Sequence, residues 1–345
     1  MVQTLTLNAL AAGAAAAIVG FLVARLSAPH IISFLRKRGI TRRDAHKPGK
    51  PIVAHSGGII IAASMFAAYL AALLVYHKAS ITVQMTTIIA SALICFLVGL
   101  YDDIKILGGK EKTLLTILSI IPIIAAYFFF PTIVSLGRPV IPLIGRIRLT
   151  IVYWAILPLA VAGPANLVNM LDIYNGVTPG MMLVAAAALL ASSLILSSDL
   201  LFISSLMLIA TLLAYYPFNA YPSKVFNGDS GSLFLGGFLG ALAVVGKIEF
   251  IVLTLLIPHL INGIMVLVSF GGFKEHRQVK GRPIEVKDGV LMASHDPNAP
   301  WSLTRFILYI GGPAHEKELS HFYILLELVP AILAVITALL MRVYV

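Results

Sequence analysis

Ten stretches of the chain are almost continuously apolar, at roughly 5–27, 52–75, 82–101, 113–130, 150–169, 177–197, 200–216, 231–246, 249–271 and 321–341. The runs do not alternate with period two, and most reach the about 20 residues that cross a bilayer, where only helices and closed barrels satisfy their own backbone. The pattern therefore predicts an all-α polytopic membrane protein of about ten transmembrane helices. The weakest boundary is LILSSDLLFISS (194–205), where only Ser197, Ser198 and Asp199 interrupt the apolar run.

Two connections are long enough to fold by themselves. The segment 131–150 mixes β-branched residues with Gly and Pro and predicts a small hairpin on the outer surface. In 272–320, two strand-like runs flank Lys287-Asp288-Gly289, a hairpin turn signal. That segment is also basic, which makes it a lid-like loop within a single integral-membrane unit spanning 1–345.

Composition agrees: 59% of the 345 residues are hydrophobic, 12% are charged, and the mean hydropathy is +0.96, which excludes an ordinary soluble domain. Nucleic acid is not an expected partner; the bilayer is. With ten alternating crossings, 19 of the 25 Lys and Arg fall on one face and six on the other. The positive-inside rule makes the first face cytoplasmic, with both termini outside. The first run is not read as a cleavable signal, because its basic cluster follows it. The lone Cys95 permits no intramolecular disulfide. The net charge of +10 serves topology or anionic-ligand binding, and composition leaves both open.

Polar residues at span ends change the picture. FLVGLYDDIKILGGKEK (96–112) closes the third span with Asp102 and Asp103, at a helix C-terminus, where the dipole disfavours anions. The fifth span ends in GPANLVNMLDIYNG, where Asn166, Asn169 and Asp172 recur every three residues on one predicted helical face, followed by Asn175. The eighth is entered through FNGDSGS, where Asp229 or Ser230 would serve as an N-cap and Asp229 also as a cation ligand. All three clusters lie on the predicted cytoplasmic face, beside Lys112, Lys224 and the basic loop. Hard oxygen donors of this kind point to Mg²⁺, with Mn²⁺ the alternative, and the adjoining cations to a phosphate or diphosphate. A membrane-embedded phosphotransferase is the leading class.

GLYDDIKILGGKEK, NLVNMLDIYNG and FNGDSGS, together with DAHKPGKPIVAHSGGI (44–59), resemble the signature stretches of the polyprenyl-phosphate N-acetylhexosamine-1-phosphate transferases. The basic loop and GGPAHEKELS (311–320) are similar to the eukaryotic and archaeal branch acting on dolichyl phosphate. The resemblance implies a ten-helix fold with a cytoplasmic active site in the cell membrane, or in the endoplasmic reticulum membrane of a eukaryote. It implies transfer of N-acetylglucosamine 1-phosphate from UDP-N-acetylglucosamine to a polyprenyl or dolichyl phosphate, the first step of lipid-linked oligosaccharide synthesis for N-glycosylation. It places Asn169 and Asp229 at the metal, Asp102 and Asp103 as a catalytic acid pair, and Lys112 on phosphate. Lys50, Asn166, Asp172, Asn175, His276, Arg277, Lys280 and Arg282 are then the substrate-binding candidates. The oligomeric state, a homodimer among the options, is left open.

Two alternatives stand beside this reading: the same transfer with another UDP-N-acetylhexosamine for a cell-surface polymer, and a transporter. A transporter is expected to carry its polar sites near the bilayer midplane. For lipid access, LLIPHLINGIMVLVSF (255–270) offers either a groove opened by Pro258, with His259 and Asn262, or an ordinary Pro-kinked helix. Glu327 is either a helix contact or part of that groove.

Overall fold

The computed structural model describes residues 5–270 and 281–342. The helices follow the apolar runs: α1 (Leu7–Lys37), α2 (Gly58–Val75), α3 (Ala79–Ile104), α4 (Gly109–Ile117), α5 (Ile121–Phe129), α6 (Thr150–Leu171), α7 (Val177–Leu196), α8 (Asp199–Asn219), α9 (Gly228–Gly246), α10 (Glu249–Leu255) and α11 (Ile257–Phe270). Three more complete the chain: α12 (Leu303–Gly311), α13 (Glu316–Leu326) and α14 (Leu328–Met341). Among the described residues, nine helical stretches are long and apolar enough to cross a membrane, with α4–α5 and α13–α14 each counted as one. The pair α10 and α11, bent by 67°, makes a tenth if taken as one span. The bend falls beside Pro258, which lacks an N–H and disfavours helical backbone at the residue before it.

The bundle is organised around α9. Every residue from Ser230 to Val245 is buried, as expected of a helix apolar on all sides and surrounded by α2, α3 and α6. Close approach requires glycine on its faces. A Cβ at Gly240 would lie 2.6 Å from the Ala160 carbonyl oxygen and 2.8 Å from the Val161 Cα, and one at Gly237 would lie 2.5 Å from Cys95 Sγ. The α1 helix packs on α2 and α8 through a stripe of small residues, Ala9, Ala12, Ala16, Ala24 and Ala28.

The first connection departs from the expectation that only two connections fold. It forms an antiparallel pair, β1 (Thr41–Arg43) with β2 (Ile52–Ala54), so the second span starts at Gly58 rather than near 52. Pro51 and the positive φ of Gly49 and Lys50 turn the chain there, and the apolar run Ile52–Ala54 fits a strand as well as a helix. The strand continues into contacts with the segment entering α9. Phe226 N donates to Ala54 O at 2.9 Å, Gly57 N to Phe226 O at 2.8 Å and Gly58 N to Asn227 O at 2.8 Å.

Both predicted hairpins are present. In 131–150 it is β3 (Val140–Ile141) with β4 (Gly145–Arg146). The lid-like segment holds β5 (Ile284–Lys287) and β6 (Val290–Ala293) around Asp288 and Gly289, whose φ values of 50° and 81° suit a two-residue hairpin turn. A third strand, β7 (Ala314–His315), pairs with β6 and leads directly into α13.

Because α9 and α6 meet backbone to backbone, Gly240→Val is expected to destabilise the bundle by about 1–3 kcal/mol. Thermal unfolding of the detergent-purified variant checks this; a melting temperature equal to that of the parent would contradict the packing.

Candidate active site

A cavity of about 830 Å³ opens among the ends of α3, α4, α6 and α9 and the first connection. Asp102, Lys112, Asn166, Asn169, Asp172, Asn175 and Asp229 all line it. The structure therefore brings together seven of the residues singled out in three separate sequence clusters.

The acid pair divides. Asp102 faces the cavity: its Oδ1 accepts from Leu107 N at 2.6 Å and its Oδ2 from Lys112 Nζ at 3.1 Å. Asp103, 5% exposed, turns toward α9 and accepts from Asp229 N at 2.7 Å and from the Ser230 hydroxyl at 2.7 Å. His55 Nε2 approaches the same carboxylate at 3.2 Å. A helix start leaves four N–H groups without intrahelical partners, and here a side chain from another helix takes one at close range. This corrects the expectation of an N-cap at Asp229 or Ser230: the cap position is Asn227, which makes no side-chain cap bond, and Asp103 acts from α3 instead.

Lys112 bridges Asp102 and Asp229, whose Oδ2 also lies 3.5 Å from Asn169 Nδ2. Asn169 Oδ1 accepts from Ser232 Oγ at 2.7 Å, which holds the amide beside Asp229. Asn166 is tied into the bundle by bonds from its Nδ2 to Thr116 Oγ1 at 2.9 Å and Ala162 O at 2.8 Å. Asp172 follows the last helical residue of α6, and its Oδ1 accepts from Asn227 Nδ2 at 2.8 Å. Burial pushes its carboxyl up from the ordinary 3.8 to about 6, with the Asn227 bond pulling the other way.

The donor set fits a hard divalent cation. Two carboxylates, Asp102 and Asp229, share the single ammonium of Lys112 and supply oxygen donors, while Asn169 turns its Nδ2 toward Asp229 and its oxygen toward Ser232. A second acidic cluster, Asp44, His46 and Glu316, has its ligand atoms within 4.8 Å of one another. The Lys47 ammonium already bridges its two carboxylates, so that charge is paired within the protein. Burial holds the His46 imidazole below its ordinary range, although Glu316 and Asp44 pull it upward, and the ring lies 5.0 Å from that of Tyr174.

Lys50 and Arg282 are exposed and line an adjoining cavity under the lid sheet rather than the one described above. His276, Arg277 and Lys280 lie outside the described residues. Sequence reasoning passed over His55, Asn227, Lys47 and Glu316. All four lie in stretches singled out above, Lys47 and His55 in DAHKPGKPIVAHSGGI, Asn227 in FNGDSGS and Glu316 in GGPAHEKELS, but no periodicity marks their partners.

Comparison with known proteins places this geometry in context. The model of glycosyl transferase family 4 matches residues 85–247. A Sulfolobus acidocaldarius protein, provisionally named UDP-N-acetylglucosamine–dolichyl-phosphate N-acetylglucosaminephosphotransferase, is 31% identical over 335 residues, covering 92% of this chain and 94% of its own. A Saccharolobus solfataricus protein with the same provisional name is 28% identical, over 74% of this chain and 79% of its own. A Streptococcus uberis phospho-N-acetylmuramoyl-pentapeptide-transferase is 26% identical, over 90% of this chain and 98% of its own.

The raised pKa of Asp172 carries a pH dependence of definite sign. Between 3.8 and about 6 the folded chain keeps a proton that the unfolded chain has released, so stability falls as pH rises through that window. Asp172→Asn is expected to raise stability above pH 7 by about 1–3 kcal/mol and to leave it unchanged near pH 4. Melting temperatures of the parent and the variant across that range check the sign.

Proposed function

The chain belongs to glycosyl transferase family 4, the polyprenyl-phosphate N-acetylhexosamine-1-phosphate transferases, and on that premise we propose that it transfers N-acetylglucosamine 1-phosphate from UDP-N-acetylglucosamine to dolichyl phosphate. An oxygen of the lipid phosphate bonds to the sugar-bearing phosphorus. The bond from that phosphorus to the bridging oxygen breaks, and UMP leaves with the electron pair. The product is a lipid diphosphate carrying N-acetylglucosamine, the starting point of a lipid-linked glycan for N-glycosylation.

The observation that carries this reading is Lys112 held between Asp102 and Asp229 at the cavity, with the Asn169 amide alongside. Phosphoryl transfer makes few covalent demands on a protein and depends on positioning and charge neutralisation. Asp229 and Asn169, with Asp102 adjoining, would hold Mg²⁺, or Mn²⁺ in its place, which when bound supplies Lewis-acid neutralisation of diphosphate charge. Lys112 neutralises a phosphate oxygen, and Asp102 orients Lys112.

A lipid phosphate has its second pKa near about 6 and is largely dianionic at neutral pH, so its attack needs no general base. That agrees with Asp103, whose carboxylate is committed to the start of α9 and holds Asp229 in place. The charge asymmetry between the two faces supports a cytoplasmic site. The bend between α10 and α11 supports lipid access beside it: Ile261, Ile264 and Val268 are exposed along α11, facing outward where a prenyl chain would lie.

The Streptococcus uberis relative, matched over nearly its whole length, keeps a second reading in view, in which the donor is another UDP-N-acetylhexosamine.

Purified protein in lipid is expected to release UMP from UDP-N-acetylglucosamine only when Mg²⁺ or Mn²⁺ and dolichyl phosphate are both present. Lys112→Met and Asp229→Asn are expected to lower turnover by about 100-fold or more. Release from a different UDP-N-acetylhexosamine alone would move the chain to the second reading, and no release from any UDP-sugar would reject the transferase reaction altogether.

A further inference from the structure

The end of the bundle opposite the cavity carries a concentration of charge that the transfer reaction does not use. Arg138, Arg146 and Arg148 sit in the segment 131–150, which contains no Asp or Glu, and Lys247 sits in the turn between α9 and α10. These are four of the six cations that the alternating crossings put on that face, where the positive-inside rule disfavours them. Topology therefore gives no reason for them. At 1.5 Å per residue of α6 they lie about 30 Å from the cavity, too far to serve it.

The backbone brings the four together. Leu149 N donates to Gly137 O at 2.8 Å and Ile147 N to Pro139 O at 3.2 Å, which folds the segment into one narrow loop around β3 and β4. Lys247 Nζ donates to Ser135 O and ties the α9–α10 turn to the base of that loop. Burial holds the Lys247 ammonium below its ordinary range; Glu249 pulls it up, and Arg146 and Arg138 push it down again, as nearby like charges do. Glu249 is itself engaged, its Oε1 accepting from the Tyr153 hydroxyl at 2.7 Å. Arg138, Arg146 and Arg148 are exposed and make no ion pair among the described residues.

Apolar neighbours set the level of the loop in the bilayer. Phe129 at the end of α5 and Ile151 at the start of α6 are 78% and 84% exposed, as lipid-facing residues are, and the rings of Tyr127, Phe128 and Trp154 gather beside them. Aromatic groups of this kind mark the headgroup level. Arg148 lies three residues before Ile151, and Ile144, 69% exposed, stands at the hairpin tip between the arginines. A soluble anion has no use for an apolar tip, and a second copy of the chain would set guanidinium against guanidinium. A surface that is both apolar and anionic is that of an acidic phospholipid.

We propose that the loop 137–149 is a binding site for the phosphate headgroup of an anionic lipid in the leaflet opposite the cavity, with Arg138, Arg146 and Arg148 as its cations. Guanidinium forks match phosphate oxygens, Ile144 reaches toward the acyl chains, and Lys247 braces the loop against the turn before α10. The site is independent of the transfer reaction and of the donor sugar.

The chain has two tryptophans, so Trp301→Phe leaves Trp154, near the loop, as the reporter. With the full-length protein in phosphatidylcholine bilayers, acyl-brominated phosphatidylglycerol is expected to half-quench Trp154 at a mole fraction about tenfold lower than acyl-brominated phosphatidylcholine. Replacing Arg138, Arg146 and Arg148 together by Gln is expected to remove that preference, and replacing them by Lys to keep most of it. In a Trp154→Phe protein, Trp301 on the lid side is expected to respond to the two lipids alike with and without the Gln substitutions. Equal quenching of Trp154 by both lipids, a preference that survives the Gln substitutions, or a parallel loss at Trp301 overturns the site. A preference abolished by inorganic phosphate assigns the arginines to a free anion and overturns the lipid. Should the triple Gln variant not fold, Arg146→Gln alone decides by the same ratio of the two lipids.

Discussion

The site depends on one buried carboxylate that never reaches the cavity. Asp103 closes α3 by accepting the first backbone donors of α9, so the end of one helix is docked onto the start of another. Both helix ends are the wrong and right places for an anion at once: the α3 C-terminus repels it and the α9 N-terminus attracts it. The docked geometry lets the second effect offset the first. It also leaves little freedom for Asp229, whose own N–H is one of the donors. The close approach is steric as well, since a Cβ at Gly228 would lie 2.5 Å from Asp103 Oδ2.

With Asp103 turned into the start of α9, the carboxylates lining the cavity are Asp44, Asp102, Asp172 and Asp229, and Arg43 and Lys112 stand against them. Carboxylates in excess of ammonium groups at a span end are costly unless something else neutralises them. Ser232 fixes the Asn169 amide beside Asp229 by donating to its oxygen, which leaves the Nδ2 facing the carboxylate. Asp44 and His46 line the same cavity, and there Lys47 bridges Asp44 and Glu316 as Lys112 bridges Asp102 and Asp229.

Much of this was legible in the chain. The apolar runs became helices, nine stretches among the described residues being long and apolar enough to cross and the bent pair α10–α11 a tenth if taken as one, because a helix satisfies its own backbone in hydrocarbon. The convergence of Asp102, Asn169 and Asp229 followed from placing every second inter-span loop on one face. The division of Asp102 from Asp103 was also available in principle, because adjacent residues on a helix of 3.6 per turn point about 100° apart and cannot share one face. Other features were not accessible. Ile52–Ala54 is as apolar as the helix that follows it, and only its pairing with Thr41–Arg43 makes it a strand. His55, Asn227 and Glu316 act through partners tens to hundreds of residues away, and no local spacing encodes such a contact.

The arrangement also bears on the transporter alternative. In a transporter the discontinuous helices and polar groups gather at the midplane, where access alternates. Here the polar residues of α3, α6 and α9 collect at one end of the bundle, and the remainder of α9 is sealed by Gly236, Gly237 and Gly240 against α3 and α6. A helix packed this closely through its length leaves no passage beside it along those two neighbours. The bundle's rigid interior holds the helix ends in register, and that register is what a site assembled from three separate spans requires.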